Sequence, residues 1–490
     1  MKKLRIIVQI LTFIFITASF ILLSFPLKFF KTESFFLTSP VFPLLASISA
    51  VKFFPHIVIS LFFIAAALIF GRLFCGWICP FGAIMDFAAF IMRPFKKWKE
   101  NEPAKPLLSK YILLAVFVIF AIFGLQIVWI FEPVTVFSRF IMLFSFPFAN
   151  EYSDKLFQYL IMNFNIGNDL YYFFQNDIFD AKQTRFNYSF IYFVLFIIPL
   201  VLIAYKRRFW CRYICPLGAC FGLASIKPIF GLKAKKCANA CGRCRDLCPT
   251  NAIRKDGTII SSECIMCLSC LNLQCRKPQE KEITIEDDKK GITRKDFLYW
   301  GGGIISALII FTRKSMPFSK NKSKSIIRPP GALEGNAFNQ ACARCGNCMK
   351  VCVTNGLQPA GFEAGLDGLW TPKFDYIIGY CEYECNACGK VCPIQAIKNL
   401  ELDEKKKIKM GLAEVDKKLC IPWSTGTACL VCEEMCPIPT KAIKMQSQKI
   451  NGITVLCPTV DRDLCVGCGI CQNKCPVEGI VKGIQVYNLQ

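Results

Sequence analysis

Five stretches of the chain are apolar almost without interruption, and the polar residues gather between them. They run about Ile6–Phe25, His56–Phe74, Ile112–Phe131, Phe190–Ala204 and Phe297–Phe311. Such runs predict membrane-spanning helices. The last two are short, so interfacial aromatics such as Tyr188, Tyr205 and Trp300 would extend their edges. The first follows Met1-Lys2-Lys3-Leu4-Arg5 and has no small-residue cleavage site after it, so it reads as an anchor rather than a signal peptide.

Charge gives this pattern an orientation. Between the second and third runs, Arg93, Lys96, Lys97, Lys99, Lys105 and Lys110 face only Glu100 and Glu102, and Lys206, Arg207, Arg208 and Arg212 follow the fourth. The Thr135–Asn187 loop instead balances four basic residues against five acidic ones. Lys/Arg excess marks the cytoplasmic side, so the N-terminus is expected inside, with helices one to four as two outward-facing hairpins. The formal charge of +24 is then largely topological, and no nucleic-acid partner is expected.

The two hairpins repeat each other. Gly71-Arg72-Leu73-Phe74-Cys75-Gly76-Trp77-Ile78-Cys79-Pro80-Phe81-Gly82-Ala83 ends the second run, and Arg207-Arg208-Phe209-Trp210-Cys211-Arg212-Tyr213-Ile214-Cys215-Pro216-Leu217-Gly218-Ala219 ends the fourth. Each is a CxxxCP motif, and each follows an outward loop with a polar residue before proline, Ser39-Pro40 or Glu132-Pro133. A parallel pseudo-two-fold repeat with facing motifs follows. Cys75, Cys79, Cys211 and Cys215 then have three readings: ligands of an additional iron–sulfur centre, redox thiols, or small buried residues that shape helix ends.

Composition adds the chemistry. Thirty cysteines accompany one histidine, His56. That excludes a CxxCH haem site, a bis-histidine haem, a Rieske centre and a Cys/His zinc finger. Twenty-four cysteines fall in six runs of four; Cys342-x2-Cys345-x2-Cys348-x3-Cys352 and Cys465-x2-Cys468-x2-Cys471-x3-Cys475-Pro476 follow the bacterial ferredoxin spacing. Paired zinc knuckles and disulfide frameworks do not bunch cysteines this way. Six [4Fe-4S] clusters are expected, with a seventh centre open at the CxxxCP pair.

In two-cluster ferredoxins the fourth cysteine of each run crosses to the other cluster. The rule assigns Cys237, Cys241, Cys244 and Cys275 to one cluster, and Cys264, Cys267, Cys270 and Cys248 to its neighbour. It assigns Cys342, Cys345, Cys348 and Cys392 to a third, and Cys381, Cys385, Cys388 and Cys352 to a fourth. Cys465, Cys468, Cys471 and Cys436 would hold a fifth, and Cys420, Cys429, Cys432 and Cys475 a sixth. The long Cys420-x8-Cys429 gap leaves Cys457 as a competing ligand; Cys220 is spare.

The CxxxCP pair followed by tandem ferredoxin motifs resembles the NapH-type membrane component of quinol dehydrogenases over residues 1 to about 290. Residues 290 to 490 resemble the NapG/MauM four-cluster ferredoxin, so the chain looks like a fusion of the two. The resemblance implies electron transfer from quinol to a periplasmic nitrate-reductase-like enzyme or cytochrome. Relatives among oxidase accessory proteins imply a competing role in cofactor assembly or maintenance. A third reading keeps all the clusters in the cytoplasm as a polyferredoxin hub.

The expected fold class is therefore a membrane helical bundle of five helices with a duplicated hairpin, plus α+β bacterial-ferredoxin-like domains. The bundle takes residues 1–230, a cytoplasmic two-cluster domain 231–285, the fifth helix and a basic linker 286–330, and a periplasmic four-cluster domain 331–490. Thr293-Arg294-Lys295-Asp296-Phe297-Leu298 looks like a twin-arginine export signal with lysine for the second arginine; the competing reading is an ordinary basic flank. The setting implied is a bacterial inner membrane and its quinone pool. Quinol oxidation needs proton acceptors, and His56, Glu132 and Arg139 are the candidates at helix ends. For His56 the competing reading is an interfacial residue among headgroups.

Overall fold

A computed structural model describes residues 2–23, 33–52, 54, 57–96, 98, 108–164, 171, 184–234, 243–254, 258–271, 283–287 and 326–489. His56, Cys237, Cys241, Cys275, the Phe297–Phe311 run and the Thr293–Leu298 motif lie outside them. In chain order the first helices are α1 (Lys2–Ile21), α2 (Glu33–Phe36), α3 (Val41–Ala50), α4 (Ile57–Phe70), α5 (Leu73–Trp77), α6 (Pro80–Met92) and α7 (Leu108–Ile122). They continue with α8 (Pro133–Arg139), α9 (Phe146–Phe164), α10 (Ser189–Val201), α11 (Phe209–Tyr213) and α12 (Pro216–Ala224).

Among the described residues the first four apolar runs do not become uniform spans. Among the described residues one helix, Lys3–Ile21, is by itself long and apolar enough to cross a membrane, while α3, α4, α6, α7 and the Ser189–Ala204 segment are shorter. Glycines set these limits. Gly71 takes φ +72° and separates α4 from α5, and Gly124 at φ +79° closes α7. There Leu125 N donates to Phe120 O at 2.8 Å and Gly124 N to Ala121 O at 3.0 Å, which satisfies the last carbonyls. The rest of the third run contains a short 3-10 turn at Val128–Ile130, and α8 follows the run; turn and helix bury Trp129, Val134 and Phe137. The hydrophobicity that suggested one long span is thus divided between a helix and its core filling.

Two compact units emerge. The first holds Met1–Ile21, Thr32–Phe144 and Phe190–Phe318. In it α1 packs on α6, and α12 on α4 and α7. A small module closes this unit: strand β1 (Phe230–Ala234) pairs antiparallel with β2 (Ile283–Asp287), Phe230 opposite Asp287, around cysteine-rich loops.

The second unit holds Leu22–Lys31, Ser145–Ser189 and Ser319–Gln490. Its strands are β3 (Leu357–Pro359), β4 (Pro372–Phe374), β5 (Leu412–Val415), β6 (Ile443–Ile450), β7 (Ile453–Val460) and β8 (Ile484–Tyr487). They form three antiparallel pairs, β3 with β4, β5 with β8 and β6 with β7. Asn451 and Gly452, both at positive φ, turn β6 into β7 as a tight hairpin. Two-stranded pairs enclosing cysteine loops are the ferredoxin plan, here used twice in tandem.

Candidate functional site

The two CxxxCP motifs have the same backbone. Ile78 N and Cys79 N both donate to Phe74 O, at 3.0 and 2.9 Å; Ile214 N and Cys215 N both donate to Trp210 O, at 3.0 and 2.9 Å. Cys79 then caps α6 and Cys215 caps α12, each followed by proline in the first helical turn. Gly218 N donates to Cys215 Sγ at 3.2 Å. Cys75, Cys79, Cys211 and Cys215 are buried and close enough for their charges to interact.

Each repeat sends an arginine into the other. Arg208 donates to Cys75 O at 2.9 Å, to Gly82 O at 3.2 Å and to both oxygens of Asp86 at 2.8 Å. Its counterpart Arg72 lies against Gly218, where a Cβ would stand 2.8 Å from Nη2. Arg72 donates to Ser262 O at 3.1 Å and to Glu263 Oε2 at 3.4 Å. Its buried Nε and Nη2 have no hydrogen-bond partner among the described residues, and the group senses Cys75 and Cys215. Two buried cations beside four thiols suit an anionic, thiolate-held centre. A cubane with four thiolates carries such a charge and supplies one-electron transfer.

The repeat breaks at one position. Asp86 aligns with Gly222, so the second half has no carboxylate at the matching position. Glu263 takes that place, approached also by Lys110 Nζ and, at 3.2 Å, by the Tyr111 hydroxyl. The cysteine module carrying Glu263 is seated on the motifs by Trp77 Nε1, which donates to Met266 O at 2.9 Å. Gly76 permits the approach, since a Cβ there would lie 2.1 Å from Ile265 O. In that module Cys248, Cys264, Cys267 and Cys270 line one pocket. Of the companion set, Cys244 alone is among the described residues.

In the second unit the thiols gather in four groups. Cys348 interacts with Cys342, Cys345 and Cys392, and Cys388 with Cys352, Cys381 and Cys385. Cys468 interacts with Cys465 and Cys436, and Cys471 with Cys465 and Cys468. Cys420, Cys429, Cys432 and Cys475 line one pocket. Cys457 does not line it; it sits wholly buried on β7 opposite Gln446. Burial first, and neighbouring thiols second, push Cys381 and Cys432 up to about 12. Burial likewise lifts Cys392 and Cys468 to about 11. Sharing the charge with a metal would offset that cost, and four thiols supply the donor set a cluster needs.

Tyr376 was not singled out by the sequence. It is buried, stacks on Phe374 with ring centroids 5.5 Å apart, and donates from its hydroxyl to Gly467 O at 2.6 Å. It senses Cys381 of one group and Cys465, Cys468 and Cys471 of another.

The remaining candidates have structural partners. Glu132 is buried and caps α8, accepting from Thr135 N at 2.6 Å. Arg139, also buried, donates to Trp129 O at 2.7 Å and to Thr135 O at 3.2 Å. Neither lies at an exposed helix end.

Comparison with known proteins fits this geometry. Over 162 residues the chain is 37% identical to the methylamine utilization ferredoxin-type protein MauM of Methylorubrum extorquens, covering 32% of this chain and 70% of that protein. It is 37% identical over 157 residues to the ferredoxin-type protein NapG of Escherichia coli, covering 31% and 67%. The chain belongs to the NapG and MauM ferredoxin-type family. Like other NapG/MauM-type proteins it is an iron–sulfur electron-transfer protein, with further sequence beyond the shared third. A 4Fe-4S binding domain family matches residues 53–99 and 188–233, which hold the CxxxCP repeats, and another matches 458–481. A NosR family matches residues 235–287, and the regulatory protein NosR of Stutzerimonas stutzeri is 28% identical over 44% of this chain and 25% of its own length. No solved structure matches the chain.

Proposed function

We propose that this NapG/MauM-type chain carries electrons from membrane quinol along iron–sulfur clusters to a periplasmic reductase or cytochrome. The observation that supports the reading is that Cys248, Cys264, Cys267 and Cys270 line one pocket in the first unit, and Cys420, Cys429, Cys432 and Cys475 one pocket in the second. Cys248, Cys264, Cys267 and Cys270 would hold one cluster in the first unit, beside one held by Cys237, Cys241, Cys244 and Cys275. In the second unit the holders would be Cys342, Cys345, Cys348 and Cys392; Cys352, Cys381, Cys385 and Cys388; Cys436, Cys465, Cys468 and Cys471; and Cys420, Cys429, Cys432 and Cys475. Cys75, Cys79, Cys211 and Cys215 would hold a seventh centre, with Arg72 and Arg208 offsetting its charge.

The apolar helices of the first unit support a NapH-like membrane part. The outward Thr135–Asn187 loop supports a periplasmic four-cluster domain, because its C-terminal stretch packs within the same unit as that domain. Gln358 holds both sides of the stretch: Asn187 N donates to Gln358 Oε1 at 3.1 Å, and Gln358 Nε2 donates to Arg185 O at 3.0 Å. Asn355 Nδ2 also donates to Arg185 O, at 2.9 Å.

The test is reduction of the visible cluster absorbance by a water-soluble naphthoquinol in membranes containing the full chain, paired with reporters fused after Gln490. Bleaching and an external reporter signal are expected. A cytoplasmic signal would turn the protein into a polyferredoxin hub, and an unreactive spectrum would leave cofactor maintenance as the better account.

A further inference from the structure

A cavity of about 590 Å³ lies between α1 and α6 in the first unit. That volume is typical of small-molecule sites. Its apolar walls include Ile6, Ile10, Phe87 and Phe90, which are 44%, 53%, 65% and 65% exposed. On helices this apolar, exposure means contact with lipid tails, so the cavity opens toward the membrane interior.

One end of the cavity is polar. Arg5, Gln9 and Asp86 line it. Asp86 is fixed by Arg208, by Arg5 and by Gln9 Nε2 at 3.2 Å, while Gln9 also donates to Gly76 O at 2.9 Å. Among the described residues Asp86 Oδ1 takes the Arg208 Nε bond, at 2.8 Å, and a carboxylate oxygen has a second lone pair for a ligand hydroxyl. Arg5 offers donors for a carbonyl. Pro249 and Ser269 form another wall, and Ser269 also lines the pocket of Cys248, Cys264, Cys267 and Cys270. A lipid-facing cavity thus shares a residue with a candidate cluster pocket.

We propose that this cavity binds the ring end of an isoprenoid quinol, with Asp86 accepting from a ring hydroxyl and Arg5 and Gln9 forming the donor side. The proposal rests on the quinol reading above and replaces His56, Glu132 and Arg139 as its site. A phospholipid headgroup would also meet Arg5, Arg93 and Arg207 there, so displacement by a quinol is what separates the two occupants. On oxidation the quinol loses two electrons and two protons and becomes the quinone. The two electrons would leave one at a time to the centre that Cys248, Cys264, Cys267 and Cys270 would hold beside Ser269. The protons pass to water at the rim formed by Arg93 and Arg207.

The test is photolabelling of membranes containing the full chain with an azido-naphthoquinone, with 2,3-dimethyl-1,4-naphthoquinol as competitor, followed by peptide mass spectrometry. Competable label on α1 and α6 is expected. Gln9→Leu and the cavity-filling Ala83→Leu should each lower labelling and raise the KM for the naphthoquinol about tenfold at unchanged iron content. Label confined to other helices, or both variants behaving as the parent while the quinol still bleaches the clusters, would overturn the cavity and leave the quinol reading standing. A parent protein that the quinol cannot reduce would overturn both. Copurified phospholipid in the cavity, not displaced by the naphthoquinol, would also overturn it.

Discussion

Arg72 Nη1 lies 3.4 Å from Glu263 Oε2, and both side chains are almost wholly buried, at 1% and 2% exposure. The pair joins an arginine of the first CxxxCP repeat to a glutamate of the cysteine module. Breaking a buried pair leaves a bare charge, at a cost of about 3–5 kcal/mol.

Glu263→Gln is therefore expected to destabilise the first unit by several kcal/mol, since Lys110 loses the same partner. Thermal unfolding in detergent measures this. Adding Lys110→Met to Glu263→Gln should restore part of the loss by removing one uncompensated cation, and a double-mutant cycle reads the coupling. Strict additivity of the two substitutions would show that the contact has no energetic weight.

Cys420→Ser and Cys457→Ser should part company. The first removes a lining thiol of the group with Cys429, Cys432 and Cys475, so purified protein should lose up to about four iron atoms per chain. The second should retain its iron, because Cys457 packs inside the β6–β7 hairpin. Iron analysis of both proteins decides between the two cysteines.

Gly76→Ala should loosen the module from the CxxxCP motifs. Its methyl would lie 2.1 Å from Ile265 O, and overpacking against backbone costs about 1–3 kcal/mol. Faster proteolytic release of the Phe230–Asp287 region is the expected readout; unaltered resistance would mean the backbone yields cheaply.

Tyr376→Phe removes a hydrogen bond to Gly467 O and keeps the ring. A loss of about 1 kcal/mol is expected, with cluster content preserved and the two neighbouring cluster potentials shifted. Denaturation monitored by cluster absorbance, together with redox titration, measures both effects.

The cysteine chemistry was readable in the sequence because ligand spacing is local and the crossing rule is topological. It placed Cys420, Cys429, Cys432 and Cys475 together across the Cys420–Cys429 gap, and these four line one pocket. The repeat was equally legible, down to the prolines that follow Cys79 and Cys215. Helix lengths were not: hydropathy cannot tell lipid-facing residues from core filling, so the turn after Gly124 merged with the helix before it. Glu132 was visible as an ionisable residue in an apolar setting, but its task as the cap of α8 depends on Thr135, three residues on. The α1–α6 cavity was invisible because Arg5, Gln9 and Asp86 are far apart in sequence and individually unremarked.

The missing carboxylate at Gly222 has a consequence for biogenesis. The N-terminal part of the first unit leaves the ribosome with Arg72 and Lys110 already made, while the carboxylate that pairs both of them lies far downstream at Glu263. That anion arrives only when Glu263 is delivered by a loop whose shape is set by the adjoining cysteines Cys264, Cys267 and Cys270. Completion of the first unit is thereby coupled to arrival of the cysteine module: a chain halted before Glu263 lacks the carboxylate that pairs Arg72 and Lys110, and is a ready substrate for quality-control proteases.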